Sequence, residues 1–440
     1  MKILAIAALC AAGLALSGCP IGGGSKYTVG GTVTGLSGSG LVLELNAGDG
    51  LSFTGSGDFV FGTRLANNAA YAVTVSTQPS NPAQTCTVRN GTGTINKAAI
   101  SNVIVSCTQM GRFAYVANRQ SNSISAYGID SGTGALAPLS GSPFASNGTT
   151  PTALTVDPNG QFLYVANAGS NNVSVYSINA TSGALTAAGF PITTGISPGA
   201  VIVDPTDHYL YVANLTGNSV SGFALQNGTL TPVVGSPFSV GAQPASLTFD
   251  PNGNFLYVAN FGSNSVSVFL LDQSSGILSA ISGSPFGTAA GPLSLSIDPT
   301  DTYAFVANNS AENIASYSLN DTTGALSQVS GSPLAAGSGV EAVTVDPAGR
   351  FVYAANAGAG NQIAWYAITP ASGILTFQSS IAADSLPIGI AIDPSGSFLY
   401  AVNFNSNDVS AYTVDATGAL IAVPGSPFAA GVQPHSIAID

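Results

Sequence analysis

Charge is scarce in this sequence. Asp, Glu, Lys and Arg make up 6% of the 440 residues, and Lys and Arg together number only eight. From residue 112 onward there are three cations, Arg112, Arg119 and Arg350, against seventeen acids. A surface without basic clusters cannot neutralise a phosphate backbone or an anionic bilayer, which excludes nucleic-acid binding and electrostatic attachment to lipid. Histidine is scarcer still, with His208 in an Asp207–Tyr209 turn and His435 near the C-terminus. Acid–base chemistry therefore has few carriers. No Gly-x-Ser-x-Gly elbow occurs, and no Ser-His-Asp set can be named. The one long apolar run, residues 3–16, is too short to span a bilayer. No long helical period occurs anywhere. Solubility must rest on Ser, Thr, Asn and Gly, the last contributing 53 residues.

Cysteine is sparse too, and its placement is informative. Lys2 and the apolar run 3–16 lead into Leu16-Ser17-Gly18-Cys19. This resembles the bacterial lipobox, which implies a signal peptide over 1–18, lipidation of Cys19 and a flexible tether over 19–26. Pro20 follows Cys19, and by analogy with enteric sorting this points to the outer membrane. The expectation is a lipid-anchored protein of the bacterial cell envelope, with the membrane as its first partner. Cys10 leaves with the signal. Cys86 and Cys107 remain as an even pair in an oxidising compartment and are expected to form a disulfide. That bond closes a loop of about 22 residues, worth roughly 3 kcal/mol in the chain-entropy model. Two thiols with no nearby His or Cys do not complete a metal site, so neither metal nor cofactor is expected.

What the sequence has in abundance is one sentence said seven times. Tyr-Val-Ala-Asn or a close variant ends at Asn118, Asn167, Asn214, Asn260, Asn308, Asn356 and Asn403. The spacing is 46 to 49 residues, the period of a propeller blade built from short strands. In the second copy, residues 152–157 alternate, Pro158-Asn159-Gly160 turns, and 162–166 is a second strand. Residues 173–178 and 184–189 then supply a third and a weaker fourth. Asp-Pro at 157–158 and its copies starts each turn, with Asp capping and Pro presetting the backbone. Asn167 and Asn171, with their copies, are expected to take unusual backbone angles and bond locally. Gly-Ser-Pro-Phe at 141–144, 235–238, 283–286 and 425–428 reads as packing and turn chemistry. The repeat opens on a second strand (113–117) and ends on a first strand (434–440). Those last residues are expected to complete the first blade and close the ring.

Residues 27–108 lack the repeat. Apolar alternation at 27–33, 41–45, 59–61, 70–75 and 103–105, with turns at Gly48-Asp49-Gly50 and Asn90-Gly91, predicts a small antiparallel sandwich. It reads as a spacer or a surface-binding module. The expected architecture is all-β, with this module at 27–108 followed by a seven-bladed propeller at 111–440.

Phe162-Leu163-Tyr164-Val165-Ala166-Asn167 and Asp157-Pro158-Asn159-Gly160 resemble, in order and spacing, the bacterial seven-bladed lactonase family with YVTN repeats. That family includes 6-phosphogluconolactonase-like enzymes. The resemblance covers about 112–440 and implies the propeller fold and lactone hydrolysis. Where the family's enzymes carry Pro-Arg-His, this chain reads Pro151-Thr152-Ala153, Pro198-Gly199-Ala200, Pro244-Ala245-Ser246, Pro292-Leu293-Ser294, Val340-Glu341-Ala342, Pro387-Ile388-Gly389 and Pro434-His435-Ser436. The second residues of these segments, Thr152, Gly199, Ala245, Leu293, Glu341, Ile388 and His435, are expected to ring one mouth of the central channel. Only Glu341 and His435 among them ionise. A histidine moves protons near neutral pH, and a carboxylate can orient it or activate water. They are the candidate catalytic residues. The favoured reading is a recognition module for protein, glycan or a small ligand, since propeller faces carry freely variable loops. The alternative is a lactonase-type carboxylic-ester hydrolase using Glu341 and His435, and a third reading is a structural component of the envelope.

Overall fold

Strand Phe162–Asn167 is apolar on both faces up to its final Asn and fully buried from Leu163 onward, as expected for a strand covered on each side by a neighbouring sheet. The computed structural model describes residues 25–36, 40–79, 84–109 and 113–440. The expected signal peptide, Cys19 and Arg112 lie outside the described residues. So does the tether through residue 24.

Each repeat unit is an antiparallel sheet. In blade 2 the strands run Pro151–Val156, Phe162–Asn167, Asn172–Ile178 and Leu185–Ala187 from channel to rim. Blades 3 to 7 begin at Pro198–Val203, Pro244–Phe249, Pro292–Ile297, Val340–Val345 and Pro387–Ile392. The rim strand is broken in six of the seven blades, a second short piece such as Ile192–Thr193 rejoining the third strand. The Gly-Ser-Pro segment fills the break in five of them. Ser142 Oγ accepts the Ala126 N–H at 2.9 Å, and Ser236, Ser284, Ser332 and Ser426 do the same for their own third strands. The motif thus satisfies a backbone donor that the interrupted ladder would orphan. In blade 6, which lacks the motif, the rim strand Leu375–Ala382 is continuous.

Blade 1 is assembled from both ends of the repeat. Pro434–Ile439 pairs with Phe113–Asn118, with Ile439 opposite Ala114 and Ile437 opposite Val116. The carboxylate of Asp440 accepts the Phe113 N–H at 2.6 Å, as Asp157 accepts those of Gln161 and Phe162 in blade 2. Blades are joined by apolar cores and by tyrosines. Tyr115, Tyr211, Tyr257 and Tyr353 each donate to a glycine carbonyl in the next blade, and Tyr400 of blade 7 donates to Gly134 of blade 1 at 2.9 Å. Burial holds these phenols well above their ordinary pKa, so they stay protonated donors.

The asparagines depart from expectation. Asn171 and its copies Asn122, Asn218, Asn264, Asn361 and Asn407 do take positive φ, and Asn407 Nδ2 donates locally to the Asn405 carbonyl, but their side-chain oxygens reach further. Each accepts the N–H of the residue that precedes the inner strand of the next blade, as Asn122 does from Thr150 at 2.7 Å. Asn167 and its copies keep strand geometry and are buried. Asn167 Nδ2 donates to Ser174 Oγ at 2.9 Å, inside its own blade.

The N-terminal module has two four-stranded sheets around one core that includes Val29, Leu41, Leu43, Val103 and Val105. It is not wholly antiparallel. Strand Ile100–Gln109 runs parallel to Val29–Thr34 in register pairs such as Val105 with Val33. Four strands also arise where the alternation gave no signal, at Asp49–Phe53, Leu65–Ala66, Gln84–Arg89 and Thr92–Thr94. Asp49 and Gly50 therefore sit in a strand, and the turn before it carries Asn46 and Ala47 at positive φ. Cys86 and Cys107 lie directly opposite one another on adjacent strands and form a disulfide. Arg89 reaches the propeller, donating to Asn252 Oδ1 and the Pro299 carbonyl. Both acceptors lie in Asp-Pro turns, on the face where inner strands end.

Candidate functional site at the channel mouth

The opposite face, where inner strands begin, carries the ring of variable residues. In each blade the register between inner and second strand slips by one residue at this point. In blade 1, Asn118 faces Pro434 while Ala117 faces Ser436, so His435 is the extra residue of a β-bulge. The same slip makes extra residues of Thr152, Gly199, Ala245, Leu293, Glu341 and Ile388. A bulge frees a side chain from the ladder and re-aims it, which is why bulges recur beside binding sites. All seven residues line one cavity of about 640 Å³ at the channel mouth.

The bulges are held from behind. The residue ahead of each inner strand has positive φ (Thr150, Ser197, Gln243, Gly291, Gly339, Leu386 and Gln433), even where it is not glycine. Its carbonyl accepts the N–H of the residue that follows the repeat asparagine, as Gln433 does from Arg119 at 2.8 Å and Leu386 from Phe404 at 2.9 Å. This backbone bond places Arg119 and Phe404 beside the mouth, and both line the cavity with His435. Neither residue was a candidate from the sequence. The position after each repeat asparagine varies, as does the next one, so variation alone does not single it out. It reads Arg119, Ala168, Leu215, Phe261, Asn309, Ala357 and Phe404.

His435 is half-buried, edge-on to Phe404 with ring centroids 6.2 Å apart. Its Nδ1 lies 2.8 Å from the Thr152 carbonyl of blade 2. A carbonyl only accepts, so Nδ1 carries the proton and the neutral ring keeps its lone pair on Nε2. Burial pushes the imidazole down to about 4, the Thr152 carbonyl opposes this, and the charge of Arg119 adds to it. Thr152 in turn donates its hydroxyl to the Pro198 carbonyl of blade 3 at 2.7 Å. Glu341 accepts from Asn309 Nδ2 at 3.0 Å. Burial raises its carboxyl above the ordinary value, and the Asn309 bond partly offsets the rise. The two candidates share the cavity but no hydrogen bond joins them. They stand on blades 6 and 1 with Ile388 of blade 7 between, so Glu341 does not orient the imidazole as the sequence suggested. The Thr152 carbonyl does that. His208 is exposed in its turn, with Nδ1 2.9 Å from Thr206 Oγ1, and plays no part in this cavity. Among the described residues, no three His, Cys, Asp or Glu side chains converge as a metal site.

The family model for the lactonase seven-bladed β-propeller matches residues 70–196, 187–287, 235–341 and 288–431. The chain belongs to this lactonase family. Among solved structures, this lactonase-family chain is similar to a putative 6-phosphogluconolactonase from Bacteroides uniformis ATCC 8492. The TM-score is 0.68 at 22% identity, over 76% of this chain and 100% of that one. A putative 6-phosphogluconolactonase from Bacteroides fragilis NCTC 9343 gives 0.67 at 20% identity, over 74% and 97%. The periplasmic gluconolactonase PpgL of Pseudomonas aeruginosa gives 0.65 at 22%, over 74% and 98%. At these identities the likeness is one of fold. No curated protein matches the sequence.

Proposed function

We propose that this protein hydrolyses a lactone at the channel mouth. One observation carries the reading above the recognition role favoured by sequence alone. In a lactonase-family chain with two histidines and 6% charge, a single cavity gathers His435, Glu341 and Arg119. His435 Nε2, with its tautomer fixed by Thr152, takes a proton from a water as that water's oxygen attacks the lactone carbonyl. The guanidinium of Arg119 favours the oxyanion that forms. On collapse the ring C–O bond breaks, the imidazolium returns its proton to the departing alkoxide oxygen, and a hydroxy acid leaves. Glu341, its carboxyl biased toward protonation, serves as a hydrogen-bonding group for substrate hydroxyls across the mouth. Among the described residues, Arg119 is the only cation lining the cavity. A phosphoryl group wants more than one such partner, so an unphosphorylated sugar lactone fits better than a 6-phospho lactone.

The test is turnover of glucono-δ-lactone and its 6-phospho derivative by the mature chain, above the buffer rate. His435→Ala is expected to lower kcat/KM by about 10²- to 10⁴-fold, the usual worth of a positioned general base. Glu341→Gln, which keeps hydrogen bonding, is expected to lose much less. Activity retained in His435→Ala discards the proposed base. No turnover by the unaltered chain discards the reaction and returns the cavity to ligand recognition.

A further inference from the structure

Arg89 shows what the Asp-Pro face can bind. At the junction of blades 4 and 5, Asn252 Nδ2 donates to Asp301 Oδ2 at 2.8 Å, which commits the amide and leaves Oδ1 to accept. Arg89 arrives on strand Gln84–Arg89 and donates Nη1 to Asn252 Oδ1 at 2.7 Å and Nη2 to the Pro299 carbonyl at 2.9 Å. The guanidinium fork suits this pair of acceptors, with a carboxylate beside them, in a way that an ammonium does not.

The repeat builds the same arrangement once more. Asp157-Pro158-Asn159 of blade 2 matches Asp250-Pro251-Asn252, and Asp204-Pro205-Thr206-Asp207 of blade 3 matches Asp298-Pro299-Thr300-Asp301. Asn159 Nδ2 donates to Asp207 Oδ2 at 2.6 Å, and Asp207 has the same φ of 60° as Asp301. Asn159 Oδ1 and the Pro205 carbonyl are the counterparts of the two atoms that hold Arg89. The blade 3/4, 5/6 and 6/7 junctions lack the pair, with Thr206 and Gly253, Thr300 and Gly349, and Ala348 and Gly396 in its place. The two copies differ in cover. Asn252 and Asn159 are both exposed, but Asp301 is buried whereas Asp207 is half-buried. A hollow of about 250 Å³ opens beside Asp207, lined by Gln161, Phe162 and Gln226 among others. Among the described residues no cation is hydrogen-bonded to Asn159 or Asp207. Burial, with Asp204 nearby, raises the Asp207 carboxyl, a cost that a guanidinium would relieve.

We propose that the blade 2/3 junction is a docking site for the guanidinium of an arginine presented by a partner polypeptide. The occupant of the equivalent site is itself an arginine on an extended strand. A chain with a formal charge of −12 offers few cations of its own for a second such contact, so a separate, more basic protein fits better.

The test is NMR titration of the ¹⁵N-labelled mature chain with capped Gly-Arg-Gly, its lysine and citrulline counterparts, and free L-arginine. Saturable shifts are expected at the Asn159 side-chain amide and the Asp207 backbone with the arginine peptide. Lysine should bind more weakly, and citrulline should give no shift. Asp207→Asn should weaken the arginine peptide at least about tenfold, since it removes the negative charge beside the guanidinium and the acceptor that orients the Asn159 amide. Asn159→Ala, at an exposed position, should do likewise and supplies the answer if Asp207→Asn misfolds. Shifts that fail to saturate, that citrulline reproduces, or that survive both substitutions would overturn the site. Free arginine binding much more tightly than the capped peptide would replace the polypeptide partner with the amino acid.

Discussion

At the scale of single residues, burial shifts His435 and Asp157 in opposite directions. His435 has a folded value of about 4 against an ordinary 6.5, because burial and Arg119 disfavour the charged ring. The proposed base is therefore in its working, neutral form at every pH well above 4. The kcat/KM for lactone hydrolysis, corrected for the buffer rate, is expected to stay flat from pH 8 to about 5 and to halve near pH 4. A half-point near 6.5 would mean that the imidazole is solvated as in a free peptide and that the burial argument fails. The same shift links to stability with a definite sign. Between pH 6.5 and 4 the unfolded chain binds a proton at this position that the folded chain refuses. The contribution is full above 6.5 and is lost as pH falls toward 4. Asp157 runs the other way. Burial lifts it to about 6, so the folded chain holds its proton longer, and its contribution weakens as pH rises from about 3.8 through 6.

At the scale of elements, the decisive feature is the bulge that opens every inner strand, and it was not legible in the sequence. The blades, their number and their phase follow from the Tyr-Val-Ala-Asn and Asp-Pro periods. A bulge is a property of register between two strands. All seven copies contain it, so no unbulged copy exists to reveal the extra residue. The seven variable positions could thus be named, but not why they leave the ladder. Arg119 and Asn309 were missed for a related reason, since their approach to the cavity depends on a backbone bond between separate loops. In the N-terminal module nothing repeats, and alternation alone hid both the parallel pairing and four strands. The asparagine bridges between blades give a way to test how far the element controls the site. Asn407 Oδ1 accepts the Gln433 N–H at 2.8 Å, two residues before His435, and Asn218 does the same for Gln243 two blades further round from Thr152. Either Asn→Ala change removes a bond that ties two blades and is expected to cost about 0.5–1.5 kcal/mol in denaturant unfolding. Only Asn407→Ala should also lower kcat/KM, because only that bulge carries the base. Equal loss of activity in both would show that the whole rim, not the blade 1 bulge, sets the site.

At the scale of the molecule, one seven-residue segment both closes the ring and carries the proposed base. Residues 434–440 are the inner strand of blade 1, yet they reach it only after six blades have formed. Without them Phe113–Asn118 presents an unpaired edge whose residues are buried in the intact ring, an aggregation-prone arrangement. Phe113 would also lose the Asp440 carboxylate on its N–H. Deleting 434–440 is therefore expected to abolish the cooperative thermal transition or to drive aggregation, and a truncated chain that melts like the intact one would refute this. Because the deletion also removes His435, activity cannot report on closure, so a second chain is needed. In blade 2, four residues, Pro158-Asn159-Gly160-Gln161, connect Asp157, the counterpart of Asp440, to the second strand. The sequence of 434–440 can be moved ahead of Phe113 through the same four residues, which gives blade 1 an ordinary hairpin and leaves the chain ending at Gln433. Every blade is then complete, but no strand ties the last blade's chain to the first blade's sheet. This rearranged chain is expected to fold and to hydrolyse lactone, yet to melt below the natural one. The gap between their melting temperatures measures the tie itself. Equal melting would assign ring stability to the interblade packing around Tyr400, Val402, Ala114 and Val116 instead.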